Sequence, residues 1–385
     1  MAETIPGDIA GNIFSRLPIK FILQCKRVCK PWRAIIGKTV GLVFTFYTRD
    51  YVTQLYYGDP EYETKIEKYY SEKTLTPIPL IPRDREVLLK PSGMVGSCNG
   101  LVCFKVENPI YSEDDFAFIC TNPMTGEVAD IPGLENQGPS LGTDPVGGFG
   151  YVCSTNEYKV VRIYYKYWGA YAQVYTLGSH LGWRDKGNVF TVFSTKESGI
   201  FANEALHWID RRTYELGQIV AFGLVDEEFW PIPSPPCSDW QYSNSNSKLI
   251  LLGGNLCLVH TNRQSINKRL DIWAFKRSVM TNDISTSYGK VKGKRRGYYY
   301  YDQTWNWSLE YSIAWEGQVL YTPFIITKQN TVLLWKNGTS NLCCYDPKTS
   351  TLQKYSDGEE GDKGYVQAIP HMNSLVSLKE IGEIS

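Results

Sequence analysis

The sequence predicts a mainly β protein that carries a small all-α segment at its N-terminus. Two observations indicate this fold class. Apolar residues recur three and four positions apart through the first 36 residues, which is the spacing of one helix face. Beyond them, short apolar runs bounded by turn residues recur about every fifty residues. With 385 residues and 43% hydrophobic content, the chain is long enough to bury a large core.

The N-terminal segment contains two amphipathic patterns separated by a proline. Ile9, Ile13 and Leu17 repeat every four residues, and Pro18 ends that helix. A second apolar stripe begins at Phe21 and has basic and polar residues on its opposite face. A segment this short buries too little surface to offset its loss of chain entropy. We therefore expect its apolar face to be covered by another protein.

The strand-rich part of the chain repeats a signal in which Gly or Glu precedes a short apolar strand. The signal occurs at Gly100, Glu204, Gly254 and Gly317. Within the longest interval, a further strand pair at residues 148–151 and 158–163 flanks a turn at residues 155–156. These positions define a period of about fifty residues, which is typical of kelch-like propeller blades.

Each unit contains a second strand–turn–strand element. Asn122-Pro123 and Asp346-Pro347 have the chemistry of tight turns, because the side chain can bond local amides while proline restricts the backbone. The apolar runs 219–222 and 270–275 supply equivalent strands in other units. The prediction is a β-propeller of about six blades.

Five units are visible, and the sixth is expected to combine the two ends of the chain. Residues 365–378 would join the strand-like run 42–47 and so close the ring. The competing architecture is a pair of stacked β-sheets. The regular period favours the propeller.

Composition argues against several classes of protein. Forty basic and forty acidic residues cancel, so no general field attracts nucleic acid. No apolar run reaches eighteen residues, and the N-terminus lacks a signal-peptide pattern, so we expect neither membrane insertion nor secretion. The ten cysteines are scattered and mostly lie inside apolar runs, which is typical of reduced core thiols. We expect no metal and no cofactor.

Two stretches have part of the pattern of a catalytic or nucleotide-binding motif but lack its context. Residues 138–142 have the Gly-x-Ser-x-Gly spacing of a hydrolase nucleophile elbow, but a polar, turn-rich sequence surrounds them. Residues 289–294 lack the spacing of a phosphate-binding loop. Of the four histidines, His207 and His260 sit within apolar strands, where structural roles are common. We expect no catalytic residue, and a propeller enzyme is the cross-class alternative.

The N-terminal pattern resembles an F-box over residues 4–36. The similar stretches are residues 5–9, 13–14, 16–20 and 25–32, whereas Phe21 replaces a common serine and Ala10-Gly11 weakens the first helix. The resemblance implies three helices that dock on a Skp-type adaptor, and through it on a cullin-based ubiquitin ligase. The expected adaptor-binding residues are Ile5, Pro6, Ile9, Ile13, Leu17, Pro18, Phe21, Ile22, Cys25, Val28 and Trp32. The alternative is that these helices cap the following domain.

The remaining chain resembles the F-box-associated domain of plant F-box proteins, including those of the self-incompatibility locus. The similar stretches are residues 97–101, 122–123, 148–151, 205–208 and 219–222. The resemblance implies a domain that binds a protein target through its loops. We divide the chain into an F-box (1–40), a linker with the first strands (41–94), an F-box-associated propeller-like domain (95–378) and a tail (379–385).

Target-binding residues are expected in loop-like contexts. Aromatic anchors dominate protein interfaces, and a basic run can contact an acidic target or act as a nuclear import signal. The candidates are Trp168, Trp240, Lys294, Arg295, Arg296, Tyr299 and Trp305. Buried tryptophans and a solvated loop are the structural alternatives for these residues.

These inferences indicate a substrate-recognition subunit of a Skp-cullin-F-box ubiquitin ligase, which presents an unknown protein target and performs no chemistry itself. The expected location is the cytoplasm, the nucleus or both. The second hypothesis is a propeller that binds proteins outside ubiquitination, and it predicts weak or absent adaptor binding.

Overall fold

The fold was analysed in a computed structural model of the full chain. The structure describes residues 40–48, 53–58, 76–78, 90–107, 116–133, 145–166, 169–211, 218–236, 247–262, 268–277, 305–315, 320–327, 329–336, 342–354, 363–372, 374 and 376–383. The predicted N-terminal helices lie outside these residues. The described part of the chain is almost entirely β-structure.

The strands form six four-stranded antiparallel sheets, which we call blades 1 to 6. Blade 1 contains β4 (Lys90–Cys98), β5 (Leu101–Glu107), β6 (Phe116–Thr121) and β7 (Val128–Ile131). Blade 2 contains β8 (Val146–Val152), β9 (Glu157–Lys166), β10 (Gly169–Thr176) and β11 (Arg184–Val189). Blade 3 contains β12 (Ile200–Ala202), β13 (Ala205–Ile209), β14 (Ile219–Gly223) and β15 (Phe229–Ile232). Blade 4 contains β16 (Ser247–Leu252), β17 (Asn255–Asn262), β18 (Arg269–Arg277) and β19 (Trp305–Ala314). Blade 5 contains β20 (Tyr321–Ile326), β21 (Val332–Lys336), β22 (Leu342–Asp346) and β23 (Thr351–Lys354). Blade 6 has the order β24 (Lys363–Met372), β1 (Val40–Thr48), β2 (Thr53–Gly58) and β3 (Thr76–Ile78).

The blades are arranged in a closed ring around their first strands. The inner strands β4, β8, β12, β16, β20 and β24 each contact the next in this order, and β24 contacts β4. A parallel bridge between Gly148 and Gly199 joins the beginning of β12 to β8. The arrangement confirms the predicted propeller of about six blades, and the described strands do not form the two stacked sheets considered as the alternative.

Blade 6 closes the ring with both ends of the described chain. β24 pairs antiparallel with β1, and Leu42 lies opposite Pro370. The predicted pairing of the C-terminal strand with residues 42–47 is therefore confirmed. β1, β2 and β3 fall in the stretch that was expected to contain a linker, and they form three of the four strands of this blade. The domain boundaries at residues 40, 94 and 378 stay predictions.

Tight hairpins join the inner strand of several blades to the next strand. Gly253 and Gly254 both have positive φ, at 58° and 77°, as do Asn203 and Glu204 at 52° and 60°. Two consecutive residues with positive φ are typical of a type I′ turn, whose twist matches that of the flanking strands. The repeated Gly or Glu in the sequence is therefore the second residue of this turn. Gly317 is an exception, since it lies outside the described residues and before β20, and the hairpin of blade 5 contains Asn330.

The predicted Asn-Pro and Asp-Pro turns are confirmed between the third and fourth strands of blades 1 and 5. Asn122 Oδ1 accepts a hydrogen bond from the Met124 amide at 2.8 Å. Asp346 Oδ1 accepts one from the Lys348 amide at 2.9 Å. Each side chain bonds the backbone two residues ahead, which is the mechanism by which Asn and Asp favour turns.

The core lies between neighbouring blades. Phe104, Phe149, Phe222 and Phe275 are fully buried on central or inner strands of four blades. Burying one such side chain contributes about 1.5–3 kcal/mol. All seven described cysteines are free and six of them are buried, as expected for reduced core thiols.

The C-terminal segment, residues 374–383, packs on blades 1 and 2. It contains the short helix α1 (Leu378–Ile381), and Leu378 is fully buried in the core that these blades share. Asn122 Nδ2 donates to the Val376 carbonyl oxygen at 2.6 Å, and Glu383 accepts hydrogen bonds from the Tyr175 hydroxyl and the Gly178 amide. The tail predicted for residues 379–385 is thus held against the ring through residue 383.

Candidate functional site

The topology gives the ring two different faces. Because strands within a blade are antiparallel, the hairpins after the first strand and the turns after the third lie on one side, which we call the turn face. The connections after the second strand and between successive blades lie on the other side, the connection face. The described turns between first and second strands are short, such as Gly253-Gly254. The two faces therefore offer different surfaces to a partner.

The N-terminal segment joins the ring at the turn face. β1 begins at Val40, which pairs with Met372 at the end of β24. Inner strands end at the turn face, so Val40 lies there too. The expected adaptor-binding residues all precede Val40 and lie outside the described residues; their role stays a prediction.

Six of the seven candidate target-binding residues lie outside the described residues, so only the strand ends that flank them can be placed. Trp168 and Trp240 lie outside the described residues, in the connections from β9 to β10 and from β15 to β16, which belong to the connection face. The basic run with Tyr299 also lies outside them, between β18 and β19, and this connection belongs to the turn face. The described strand ends that flank these candidates lie at different faces of the ring, and the target-binding role of the candidates stays a prediction.

Trp305 is the candidate whose side chain the structure describes. It is the first residue of β19, and its ring centroid lies 5.4 Å from that of Phe275. Trp307 packs on the same ring at 5.0 Å and donates a hydrogen bond from Nε1 to the Pro233 carbonyl oxygen. Trp305 is half-buried, so much of its side chain belongs to the packing of blade 4.

A cavity of about 170 Å³ lies in the centre of the ring, between the inner strands and the connection face. Five of the six inner strands contribute to its wall, together with the connection from β11 to β12. Apolar side chains such as Phe324 and Trp335 form much of the lining. Sequence analysis did not find this cavity, because its wall combines residues from five separate blades.

The charges at the cavity are mostly positive. Among the described lining residues, Lys196, Lys248 and Lys336 are cationic and Glu197 is the carboxylate. Glu197 is already engaged, since Arg211 Nη2 lies 2.9 Å from its Oε2 and also donates to the Ser247 carbonyl oxygen. The cavity therefore favours an anionic group over a cationic one.

The buried histidines have structural surroundings. His207 lines the cavity and its Nδ1 hydrogen-bonds the Ile200 carbonyl oxygen at 3.1 Å. Complete burial lowers the pKa of His207 to about 4, against a smaller opposite effect of that hydrogen bond, so the ring is neutral near pH 7. A neutral, fully buried imidazole contributes no charge to the cavity.

Two serine–histidine pairs resemble part of a catalytic triad in their residue types. Ser247 Oγ lies 2.8 Å from His260 Nδ1, and each residue is only 3% exposed. The second pair, Ser97 and His371, joins β4 to β24 at 2.9 Å, and His371 is fully buried. A nucleophile needs room for a substrate carbonyl, which the buried Ser247 lacks. The Gly-x-Ser-x-Gly motif at residues 138–142 lies outside the described residues.

The described part of the chain contains no group of three or more His, Cys, Asp or Glu side chains arranged to hold a metal ion. None of the helices in this part has the length and apolar character needed to cross a bilayer.

Two protein-family models match the chain. Residues 72–377 match the F-box associated beta propeller domain, and residues 3–40 match the F-box domain. The first match covers most of the chain and includes all strands of the ring except β1 and β2.

The chain belongs to the F-box-associated β-propeller family.

Curated relatives agree with this family. An F-box protein of Arabidopsis thaliana is 28% identical over 92% of this chain and 87% of its own length. An F-box/kelch-repeat protein from the same plant is 25% identical over 61% of this chain and 66% of its own length. An F-box followed by an F-box-associated propeller is the domain organisation of an F-box substrate receptor.

The chain resembles solved structures only weakly. TolB from Acinetobacter baumannii has a TM-score of 0.44 and 10% identity, covering 88% of this chain and 69% of that one. The β-propeller domain of a trilobed protease from Pyrococcus furiosus has a TM-score of 0.35 and 12% identity, covering 70% and 84%.

Proposed function

We propose that this chain is the target-recognition subunit of a Skp-cullin-F-box ubiquitin ligase. The observation that carries the proposal is the combination of an F-box match over residues 3–40 with a propeller whose connection face points away from the attachment of that segment. The F-box would hold the Skp-type adaptor and, through it, the cullin. The connection face would hold the protein target.

In this proposal the chain acts by positioning. A target lysine held near a ubiquitin-conjugating enzyme that carries ubiquitin reacts faster, because the encounter becomes effectively intramolecular. The described residues contribute binding surfaces and a rigid spacer, and the ubiquitin transfer takes place on other subunits. The working location would be the cytoplasm, the nucleus or both, which microscopy of a fluorescent fusion would test.

Co-purification with a Skp-type adaptor tests the proposal. The full-length chain is expected to form a stable complex, and Trp32→Ala or Leu17→Asp should abolish it by removing an apolar anchor or burying a charge. Lys348→Glu, an exposed substitution in the turn between β22 and β23, is the control that should leave the complex intact. Persistence of the complex in both F-box variants would reject this interface.

The second candidate is a propeller that binds proteins without any ligase. The central cavity near the connection face supports this second candidate as well as the first, because a target-binding site does not require an adaptor. Absence of adaptor binding by the folded wild-type chain would decide for this alternative.

A further inference from the structure

The connection from β11 to β12 carries two exposed apolar side chains and then continues along the chain to residues that line the central cavity. Phe190 is 80% exposed and Val192 is 45% exposed, although both are large and apolar. Lys196, six residues after Phe190, lines the cavity itself. We call Phe190, Val192, Lys196, Lys248 and Lys336 the cationic groove.

The backbone that presents this surface is well anchored. The Arg211 amide donates to the Val192 carbonyl oxygen at 2.7 Å, and the Phe193 amide donates to the Tyr165 hydroxyl at 2.8 Å. The Phe193 ring packs on Trp208 with centroids 5.4 Å apart. Phe190 and Val192 are therefore displayed by a held segment, and their exposure does not result from a missing anchor.

The inner end of the groove is lined by three lysines from separate parts of the chain. Lys196 comes from the connection between blades 2 and 3, Lys248 from β16 and Lys336 from the end of β21. The one carboxylate among the described lining residues, Glu197, is bound by Arg211. Three lysines in the wall of one cavity give it a positive potential, which favours an anionic ligand.

We propose that the cationic groove binds an acidic peptide segment of the protein target. The carboxylates would lie at Lys196 and Lys248, while an apolar side chain of the same segment would cover Phe190 and Val192. This inference rests on the proposed function and adds to it the chemical class of the target.

A peptide fits this surface better than the other anions that could be considered. A small inorganic anion would fill the cavity but leave the exposed Phe190 uncovered. Nucleic acid requires a basic field that follows its backbone, whereas this chain has a formal net charge of zero and the lysines converge on one cavity. A peptide supplies both charge and apolar area in one extended segment.

The test uses the full-length chain and a fluorescein-labelled peptide of glutamates around a central phenylalanine. Fluorescence anisotropy should show saturable binding that weakens with added salt, since the contacts are ionic. Lys248→Glu and the exposed Lys196→Glu should each weaken binding about tenfold or more, which corresponds to about 1.4 kcal/mol. Lys348→Glu makes the same charge change on the turn face and should have no effect.

Three outcomes would overturn the inference. Equal affinity in the two groove variants and the wild type would place the site elsewhere. Equal affinity for the same peptide with glutamine in place of glutamate would remove the role of charge. Phe190→Ser with unchanged affinity would remove the apolar half of the groove.

A competing occupant lies in this chain. The connection between β23 and β24 contains Asp357, Glu359, Glu360 and Asp362. If peptide bound only after these four residues were changed to their amides, the groove would belong to this connection and the proposal would be overturned. Adaptor binding is measured separately, so its loss together with intact peptide binding would reject the ligase function and leave the groove standing.

Discussion

Glu227 joins blades 2 and 3 through a single side chain. It lies in the turn between β14 and β15, is 8% exposed, and accepts hydrogen bonds from Lys159 at 2.9 Å and Arg184 at 2.6 Å. Lys186 is its third cationic partner. Burial by itself raises the pKa of a carboxyl group, but the hydrogen bonds from these three cations outweigh that effect and lower the pKa of Glu227 to about 2.

The lowered pKa of Glu227 predicts an acid-sensitive contribution to stability. Its ordinary value is 4.5, so the contribution is fully present above that pH and is lost as the pH falls towards about 2. Glu227→Gln should reduce the free energy of unfolding at pH 7 by about 2 kcal/mol, less than for a fully buried pair because Arg184 and Lys186 are partly exposed. Chemical denaturation of both proteins at several pH values measures the difference.

The exposed neighbour Glu228 offers a matched control for this measurement. Glu228→Gln removes the same charge from the same turn and should change stability by no more than about 0.5 kcal/mol. A deficit of Glu227→Gln that stayed constant down to pH 2 would contradict the ionic explanation.

Single residues were predicted well where the chemistry is local. Asn122 and Asp346 were assigned to turns correctly, since each bonds an amide two residues away. Nothing in the sequence indicated that Glu227 meets Lys159, because these residues belong to different blades. Trp305 was a candidate either for a target-binding anchor or for a buried tryptophan; it packs on Phe275, a partner on the adjacent strand, and its target-binding role stays a prediction.

The hairpin turns show how the same local element can have different surroundings. Gly100 and Gly254 hold equivalent positions after the inner strands of blades 1 and 4, with φ of 93° and 77°. A side chain at Gly254 would meet open space, whereas a Cβ at Gly100 would collide with Cβ of Ser374 in the C-terminal segment. One turn is exposed and the other is covered.

This contrast predicts different costs for one substitution. Gly254→Ala should reduce the free energy of unfolding by about 1–2 kcal/mol, the cost of a left-handed conformation for a residue with a Cβ. Gly100→Ala should cost clearly more, because the C-terminal segment must move. Thermal unfolding of both variants tests the order.

A double variant isolates the cause. Adding Ser374→Gly removes the colliding Cβ and should recover part of the excess cost of Gly100→Ala. Equal costs for the two alanine variants, or no recovery in the double variant, would contradict the collision.

The strands and turns of most units follow from their own residues. Two consecutive left-handed positions select Gly, Asn or a similar residue, and apolar runs on either side form the hairpin. The signal at Gly317 was placed at the wrong point of its unit, since it precedes the inner strand β20. An isolated Gly before an apolar run cannot distinguish a hairpin turn from the connection between two blades.

The ring as a whole depends on a seam between distant parts of the chain. β1 and β24 are paired by main-chain hydrogen bonds, and the Ser97–His371 contact ties β24 to blade 1. The Met94 amide also donates to Gln367 Oε1 at 3.0 Å. The closure is therefore noncovalent and combines contacts on both sides of β24.

The seam predicts a localised effect of His371→Ala. The substitution leaves Ser97 without this partner and opens space beside a buried strand, which should cost about 1–3 kcal/mol. Hydrogen exchange followed by mass spectrometry should show faster exchange in β1 and β24 while blade 4 keeps its protection.

His260→Ala is the matched control for the seam. It removes an equivalent contact to Ser247 inside blade 4, so the faster exchange should then appear in β16 and β17. Unchanged exchange in β1 after His371→Ala would show that the seam does not depend on this contact.

The sequence by itself determined the class of the fold, the period of about fifty residues, the turn chemistry and the pairing of the chain ends, because apolar periodicity and turn preferences act over a few neighbouring residues. Only the tertiary structure decided which face each connection joins, and it brought Lys196, Lys248 and Lys336 from separate parts of the chain to the wall of one cavity. The physical reason is distance along the chain. A closed ring brings together inner strands separated by many residues, so the charge and shape of its centre belong to no single segment.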